Sequence, residues 1–259
     1  MTINRRRFMH NAAAIAAAGF TAGMTASQKA DAIEDEMARQ LAKTRTLPWL
    51  CNVGEAGDGS GPFLQGTDPL LPKMPEKPTL LDFFERRWGE NSQHLLQSAN
   101  LALESGLDER QVLACLLHDI GNRFIRTDHG YWGAQLIEPY VDEEISWAIR
   151  YHQALRFFPD ESVGYEYPEA YIGYFGEGYE PEPYIRTAYE YARNHRWYMT
   201  ARLITLNDLY SFDPNVEVTL DRFVDIMGRH FRTPEEGLGF DGSPVAHQWR
   251  TIIWPNNFL

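Results

Sequence analysis

The stretch Cys115-Leu116-Leu117-His118-Asp119-Ile120-Gly121 decides how the whole chain is interpreted, because an apolar run ends there in an adjacent histidine and aspartate. Its pattern predicts a helix whose last turn carries His118 and Asp119. Burying an unpaired carboxylate costs several kcal/mol. A metal ion would remove that cost, since imidazole and carboxylate groups are both ligands for a cation. The alternative is an ordinary capped helix end, because His-Asp pairs also arise by chance.

Further candidate ligands lie on both sides of this pair. His94 lies upstream, and His129, His152 and Asp208 lie downstream. Four of the eight histidines therefore fall on or beside successive predicted helices, in an order that allows them to converge. A lone histidine on the apolar face of a helix, as at His152, is more often an ordinary core residue.

Helical periodicity runs through most of the chain after residue 78, with no strand alternation of useful length and no internal repeat. Thr79, Asp108 and Asp142 are predicted N-caps, and Gln111 completes a capping-box pattern with Asp108. The predicted helices cover residues 80–87, 92–105, 109–119, 129–138, 143–155, 184–193, 195–210 and 220–231, followed by an irregular C-terminus. The sequence therefore predicts an all-α fold.

Composition and charge limit the classes of function. Hydrophobic residues make up 44% of the 259 residues, which is enough for one large domain with extensions. The formal net charge is −12, so the basic surface of a nucleic-acid-binding protein is missing. Two cysteines are too few for a disulfide framework. We therefore expect no nucleic-acid partner.

The N-terminus has the features of an export signal. Arg5-Arg6-Arg7-Phe8-Met9 looks like a twin-arginine motif, and an Ala-rich run with a cleavage candidate at Ala30-Asp31-Ala32 follows it. The run is too short to span a membrane. Residues 1–32 are therefore predicted to be a twin-arginine signal peptide of a periplasmic protein that meets the membrane only through the export machinery. The alternative is a basic N-terminus followed by a surface helix.

Three further regions are expected after the signal. Residues 33–78 are predicted to be a wrapping arm, residues 79–212 the helical domain, and residues 213–259 a C-terminal helical extension. Within the domain, residues 157–184 are rich in Gly, Pro and Tyr and interrupt the helical pattern. A long loop of this kind is either a lid or a poorly ordered insertion, and its aromatic residues favour a lid.

His94, His118-Asp119 and Asp208 together resemble the HD-domain superfamily, whose four-residue set binds one metal and often hydrolyses phosphate esters. Adding His129 and His152 gives the six ligands of its two-metal members. Two stretches resemble the mixed-valent di-iron HD-domain oxygenases, which include phosphonate-cleaving oxygenases and, more distantly, myo-inositol oxygenase. These stretches are His129-Gly130-Tyr131-Trp132-Gly133-Ala134-Gln135-Leu136 and His152-Gln153-Ala154-Leu155-Arg156-Phe157. The resemblance covers residues 79–212 and implies an HD-domain helical bundle.

The resemblance implies which of the six ligands would hold each of two metal ions. Asp119 would bridge two metals, His94, His118 and Asp208 would hold one, and the second would be bound by His129 and His152. The implied cofactor is a mixed-valent Fe(II)/Fe(III) pair, with Mn, Ni or Mg as alternatives. The implied reaction uses O2 to cleave or hydroxylate a small-molecule substrate, which is polar and carries a hydroxyl or an anionic group.

The same resemblance suggests the residues around the substrate. Arg156 corresponds to a basic residue that faces substrate in the phosphonate group, although a solvated cation at the helix end is the alternative. Asn122 stands where those enzymes place a further histidine, and this departure argues against a phosphonate substrate. We expect Asp119, Asn122 and Arg156 to be the catalytic residues. The candidate substrate contacts are Arg123, Arg126, Arg156, Glu90, Tyr171 and Tyr174.

Two other functions fit the same residues. A two-metal phosphohydrolase would use the cluster to activate water against a phosphoester. A non-catalytic metal-binding HD scaffold would keep the fold without turnover. Metal identity, redox behaviour and dependence on O2 separate the three.

Overall fold

The computed structural model describes residues 72–88, 92–123, 125 and 128–254. The predicted signal peptide, nearly all of the predicted arm, Glu90 and Arg126 lie outside these residues. Residues 73–253 pack into one compact unit.

Ten α-helices follow one another in the described part of the chain, which contains no β-strand. They are α1 (Leu80–Phe83), α2 (Gln93–Glu104), α3 (Glu109–Leu117), α4 (His129–Ile137), α5 (Glu143–Leu155), α6 (Glu169–Phe175), α7 (Pro183–Ala192), α8 (Tyr198–Leu209), α9 (Val224–His230) and α10 (Ala246–Ile253). A π-turn at Phe84–Trp88 extends α1, and four 3-10 turns lie at Ile120–Arg123, Glu138–Tyr140, Glu161–Val163 and Leu220–Phe223. The predicted all-α class is confirmed. Across the described residues, every helix is too short or too polar to span a bilayer.

Side-chain caps explain where two of the helices begin. The Thr79 backbone N–H donates to the Asp82 carboxylate over 2.9 Å, and the Thr79 hydroxyl accepts from the Asp82 N–H, which forms a reciprocal cap for α1. The Asp108 carboxylate accepts from the second and third N–H groups of α3, as predicted. The second half of that predicted capping box is wrong. Gln111 is buried, and its amide donates to the Thr200 carbonyl on α8 over 3.0 Å instead.

Helix α5 lies at the centre of the bundle and packs against α3, α4, α7 and α8. Its inward residues repeat at three and four positions and are all buried: Ile145, Ala148, Ile149, His152 and Leu155. Helices α2 and α3 pack against each other and both contact α8. The bundle therefore brings the four helices α2, α3, α5 and α8 around one interior region.

The C-terminus departs from the sequence expectation of an irregular tail. Residues Ala246–Ile253 form α10, and the completely buried Trp249 ring lies 4.7 Å from that of Phe83 between centroids. The Trp249 indole N–H donates to the Leu136 carbonyl over 3.1 Å. An eight-residue helix carries too few periodic positions to be recognised by pattern, and packing against distant helices stabilises it.

Candidate metal centre

Helix α3 ends just before the histidine–aspartate pair. His118 is the C-cap residue and is completely buried, and Asp119 lies in the turn that leads to the 3-10 turn Ile120–Arg123. The predicted helix is confirmed, but its predicted end at Asp119 is two residues too late: the helix ends at Leu117, and His118 keeps helical backbone angles. Successive residues of a helix point about 100° apart. The chain leaves the helix, and in this turn both side chains face the same centre.

Three other helices supply the remaining histidines. His94 lies in the first turn of α2, His129 is the first residue of α4, and His152 lies in the last turn of α5. His152 is completely buried and His129 nearly so, whereas the side chain of His94 is 17% exposed. The centre is therefore built at helix ends, with its more open side at His94.

Backbone carbonyls fix the tautomers of three of these histidines. His118 Nδ1 donates to the Cys115 carbonyl over 2.7 Å, and His152 Nδ1 donates to the Ile149 carbonyl over 2.6 Å. His94 Nδ1 donates in the same way to the Ser211 carbonyl over 3.2 Å. A carbonyl can only accept, so Nδ1 carries the proton and the neutral ring presents a lone pair on Nε2. A hydrogen bond from the ring nitrogen that does not bind metal is the usual way in which a metal-binding histidine is oriented.

Glycines allow the ligand-bearing segments to approach closely. A Cβ atom on Gly121 would lie 2.1 Å from the carbonyl oxygen of His129, and one on Gly130 would lie 2.8 Å from that of Ile149. Asp128, just before α4, has φ 53° and is the one non-glycine residue with positive φ in the described segments. This left-handed turn costs about 1 kcal/mol and leads directly into His129.

Both carboxylates face the imidazole nitrogens. Asp119 Oδ2 lies 3.6 Å from His94 Nε2, whereas Asp119 Oδ1 lies 2.8 Å from His129 Nε2 and 3.7 Å from His152 Nε2. Asp208 Oδ1 lies 3.2 Å from His94 Nε2. Asp119 Oδ1 also lies 3.7 Å from His118 Nε2, so Oδ2 faces His94, whereas Oδ1 faces the other three histidines. Three overlapping sets have ligand atoms within 4.8 Å of one another: His94, His118 and Asp119; His118, His152 and Asp208; and Asp119, His129 and His152.

The donor set fits a transition-metal cofactor. His152 Nε2 and Asp119 Oδ1 are buried and, within the described residues, neither takes part in a hydrogen bond of suitable geometry. Buried polar atoms are rarely left in this state, and a bound cation would satisfy both. Four imidazoles and two carboxylates suit iron, manganese, nickel or zinc, and they suit magnesium least because magnesium prefers oxygen ligands.

Without a metal ion, the charged groups of this region strongly favour binding of protons. Burial opposes protonation of His94, but Asp119 and Asp208 outweigh it and raise its pKa to about 10. Burial also opposes ionisation of Asp119, yet the surrounding histidines lower its pKa well below the usual value. His152 has a lowered pKa, because burial and the neighbouring histidines disfavour its charged form. Protons and metal ions compete for such groups, so metal binding is expected to weaken at acid pH.

Arg156 and Tyr171 lie together near this centre. The Arg156 guanidinium lies 5.4 Å from the Tyr171 ring centroid and 5.0 Å from that of Phe157. Its Nε atom is buried and, in the described part of the chain, has no hydrogen-bond partner. Burial raises the pKa of Tyr171 to about 12, with Arg156 opposing and the carboxylates of Asp208 and Asp119 adding to the increase. The carboxylates of Asp119 and Asp208 therefore act electrostatically on the Tyr171 hydroxyl.

The other predicted contacts have mixed positions. The Asn122 amide donates to Asp119 Oδ2 over 2.7 Å, so this residue touches the central carboxylate directly. Arg123 is the last residue of the 3-10 turn after Asp119. Tyr174 is 82% exposed, and its role as a substrate contact stays a prediction.

Three residues near the centre had no assigned role at the level of sequence. Ser211 contacts His94 Nδ1 through its hydroxyl at 2.8 Å, and the Phe212 ring stacks on the His94 ring with centroids 4.1 Å apart. Ser211 and Phe212 follow Asp208 closely in the sequence, and this short spacing is the feature by which they could have been identified as neighbours of the ligands. Gln153 accepts a hydrogen bond from the Gly130 N–H over 3.2 Å and so joins the segments that carry His152 and His129.

Comparison with protein families gives one match. Residues 91–171 match the HD domain. The matched region contains five of the six candidate ligands, and Asp208 lies beyond it. The match supports placing this region in the HD-domain superfamily, with a histidine–aspartate cluster able to bind metal. No curated protein sequence gave a match to the chain.

Proposed function

We propose that this protein is a two-metal HD-domain enzyme, and specifically a di-iron oxygenase acting on a small anionic or hydroxylated substrate. The observation that carries the proposal is the position of Asp119. Its Oδ2 atom faces His94 at 3.6 Å, and its Oδ1 atom faces His129 at 2.8 Å. A carboxylate with one oxygen towards His94 and the other towards His129 would be able to hold two ions, and His94, His118 and Asp208 would hold the first of them.

The second group supports iron and an oxygenase. His129, His152 and Asp119 come together as two histidines and one carboxylate. This set leaves several coordination positions free and is typical of non-haem iron oxygenases. Bound iron would supply the redox chemistry of O2, which no protein side chain can supply. The chain holds His152 for this purpose in its neutral form, with Nε2 available.

Arg156 and Tyr171 provide the recognition chemistry. The Arg156 guanidinium is always charged, and its Nε atom has no partner among the described residues, so it is suited to bind an anionic oxygen of the substrate. Tyr171 is protonated at neutral pH, as any tyrosine of ordinary pKa would be, and burial raises its pKa further, to about 12. It can therefore donate a hydrogen bond to the same anion or to a substrate hydroxyl. The Asn122 amide holds Asp119 Oδ2 in place over 2.7 Å.

A two-metal phosphohydrolase is the second candidate. The observation in its favour is the same cation near the centre, because a phosphoester would be bound by Arg156 as readily as another anion. The two candidates differ in metal redox chemistry and in their requirement for O2.

The first experiment is metal analysis of protein purified without oxygen, followed by electron paramagnetic resonance after partial oxidation. The oxygenase requires two irons per chain and the signal of a coupled ferrous–ferric pair. O2 uptake with hydroxylated phosphonates, polyols and amino alcohols then tests for a substrate. Two redox-silent metals with phosphoester hydrolysis in the absence of O2 would establish the hydrolase instead.

Single substitutions test the assignment of ligands. His129→Ala and His152→Ala should each lower the metal content from two ions per chain towards one. His230→Ala is the matched control, because His230 pairs with Glu109 at the surface, over 2.8 Å, and not with the metal ligands. Retention of two metals in both ligand variants would refute the six-ligand arrangement.

A further inference from the structure

A cavity of about 430 Å³ lies between helices α4, α5 and α7. None of the six candidate metal ligands lines it. The lining residues of α5 are on the side facing α7, whereas His152 belongs to the buried side that faces the bundle interior. The cavity is therefore separate from the metal centre, and its volume is typical of a small-molecule site.

Five of the twelve residues that line the cavity are aromatic. Tyr131, Tyr151, Tyr184 and Tyr191 line it together with Phe157. Tyr131 is 39% exposed, and Tyr184 and Tyr191 are each 53% exposed. Concentrating exposed rings in one concave surface leaves apolar faces in water, and a flat ligand that stacks on them would remove these faces from solvent.

One cation is held at this wall in a defined position. The Arg150 guanidinium lies 4.8 Å from the Tyr131 ring centroid and 5.6 Å from that of Tyr151. It forms no ion pair with any carboxylate in the described part of the chain. Two tyrosine faces orient the guanidinium in advance, so binding an anion costs little additional side-chain entropy.

The remaining polar groups limit the charge of the ligand. Asp128 also lines the cavity, and its carboxylate contributes to the raised pKa of Tyr184 after burial. The Asp128 carboxylate would repel a second negative charge, so a ligand with one anionic group, bound by Arg150, fits the lining best. The Gln153 Oε1 atom is already used by the Gly130 N–H. A carboxylate group on an aromatic ring satisfies both the charge and the shape of the site.

We propose that this cavity is a second ligand site, which binds a small aromatic monocarboxylate through Arg150 and the surrounding tyrosines. The ring stacks on the tyrosine faces, and the carboxylate pairs with the guanidinium. The site does not depend on metal or on the reaction at the metal centre.

Benzoate is the probe, titrated into the full chain by isothermal calorimetry. One benzoate should bind per chain, and acetate, which lacks the ring, should bind far more weakly. Arg150→Gln should weaken benzoate binding by roughly tenfold, the usual value of a charge-assisted hydrogen bond. Tyr131→Leu should weaken it by roughly threefold to tenfold. Arg193→Gln is the matched control, because Arg193 also lies over a tyrosine ring, that of Tyr189 at 5.5 Å, outside the cavity.

Benzoate binding to the metal-free protein tests whether the ligand occupies the cavity or the metal centre. Benzoate affinity should be unchanged after dialysis against a chelator, with the fold checked by circular dichroism. Loss of binding in the metal-free protein would place benzoate at the metal centre and overturn the proposal. Equal affinities of wild type and Arg150→Gln, or of acetate and benzoate, would overturn it as well.

Discussion

The two sides of the metal centre differ in the depth at which the surrounding chain is buried. Helix α3, which leads into His118, is buried at every residue from Gln111 to Leu117. Helix α6, which carries Tyr171, has no buried residue. Segments with little buried surface open at a low free-energy cost. The candidate ligands are thus held by the bundle core. The proposed recognition side, which is Arg156 with α6 and its Tyr171, is able to move without unfolding the bundle.

One buried cation connects these two regions. Arg202 on α8 is completely buried, and its guanidinium donates to the Leu155 carbonyl at the end of α5 over 3.0 Å. It also lies 3.6 Å from the Asp160 carboxylate, at the start of the segment that leads to α6. The same helix therefore carries Asp208 of the metal centre and anchors the base of the recognition side.

The difference between the two sides of the candidate metal centre is tested most directly by replacing one glycine with alanine on each side. Gly121→Ala puts a Cβ 2.1 Å from the His129 carbonyl oxygen, where only backbone movement can relieve the clash. We expect a loss of about 3 kcal/mol or more and a reduced metal content. Gly173→Ala in α6 meets nothing within 4 Å and should keep or slightly raise stability, since alanine favours a helix. Chemical denaturation and metal analysis measure both. Equal effects would mean that the two regions are equally constrained.

Arg202→Met breaks the connection between the regions. The substitution leaves the Leu155 carbonyl and the Asp160 carboxylate without this partner. We expect a loss of about 2–3 kcal/mol, below the ~3–5 kcal/mol of a fully buried pair because Asp160 is partly exposed. Hydrogen exchange should accelerate first in residues 157–165. Arg110→Met is the control, because Arg110 and its partner Asp142 are both exposed. Uniform acceleration over the bundle would contradict a local anchoring role.

Arg156→Gln tests the recognition side alone. Loss of the charge should raise KM for the anionic substrate found by O2 uptake by roughly tenfold, with metal content and thermal stability nearly unchanged. Arg156→Lys should recover part of the affinity. Arg186→Gln, at another arginine over an aromatic ring, is the control. A loss of metal in Arg156→Gln would show that the residue supports the centre and does not contact substrate.

The smallest effect is expected at the surface end of α3. Arg229 and His230 lower the pKa of Glu109 from 4.5 to about 2. A lowered pKa in the folded state stabilises the fold above 4.5, and this contribution disappears as the pH falls towards about 2. Glu109→Gln should therefore lower Tm slightly at neutral pH, and the difference should shrink at acid pH. Thermal unfolding across this range measures it, and a difference independent of pH would exclude the ion pair as its cause.

Local pattern was sufficient for most of the helices. The repeat of apolar residues at three and four positions predicted α5 with His152 on its buried stripe. Asp108 was correctly predicted to cap α3. Gln111 shows the limit of that reasoning. A glutamine three residues after a cap normally reaches back to it, but here α8 covers the residue and offers the Thr200 carbonyl instead. Contacts between distant segments decide such a choice.

The sequence by itself determined an all-α bundle and the set of histidines and aspartates that could meet, because helical periodicity and ligand chemistry are local properties. Only the tertiary structure decided that Asp119 leaves the helix with one oxygen facing His94 and the other facing His129. It also decided that Arg202 is buried, that α10 packs on Phe83, and that Tyr174 faces solvent. These outcomes depend on how helices far apart in sequence pack, which no local pattern encodes.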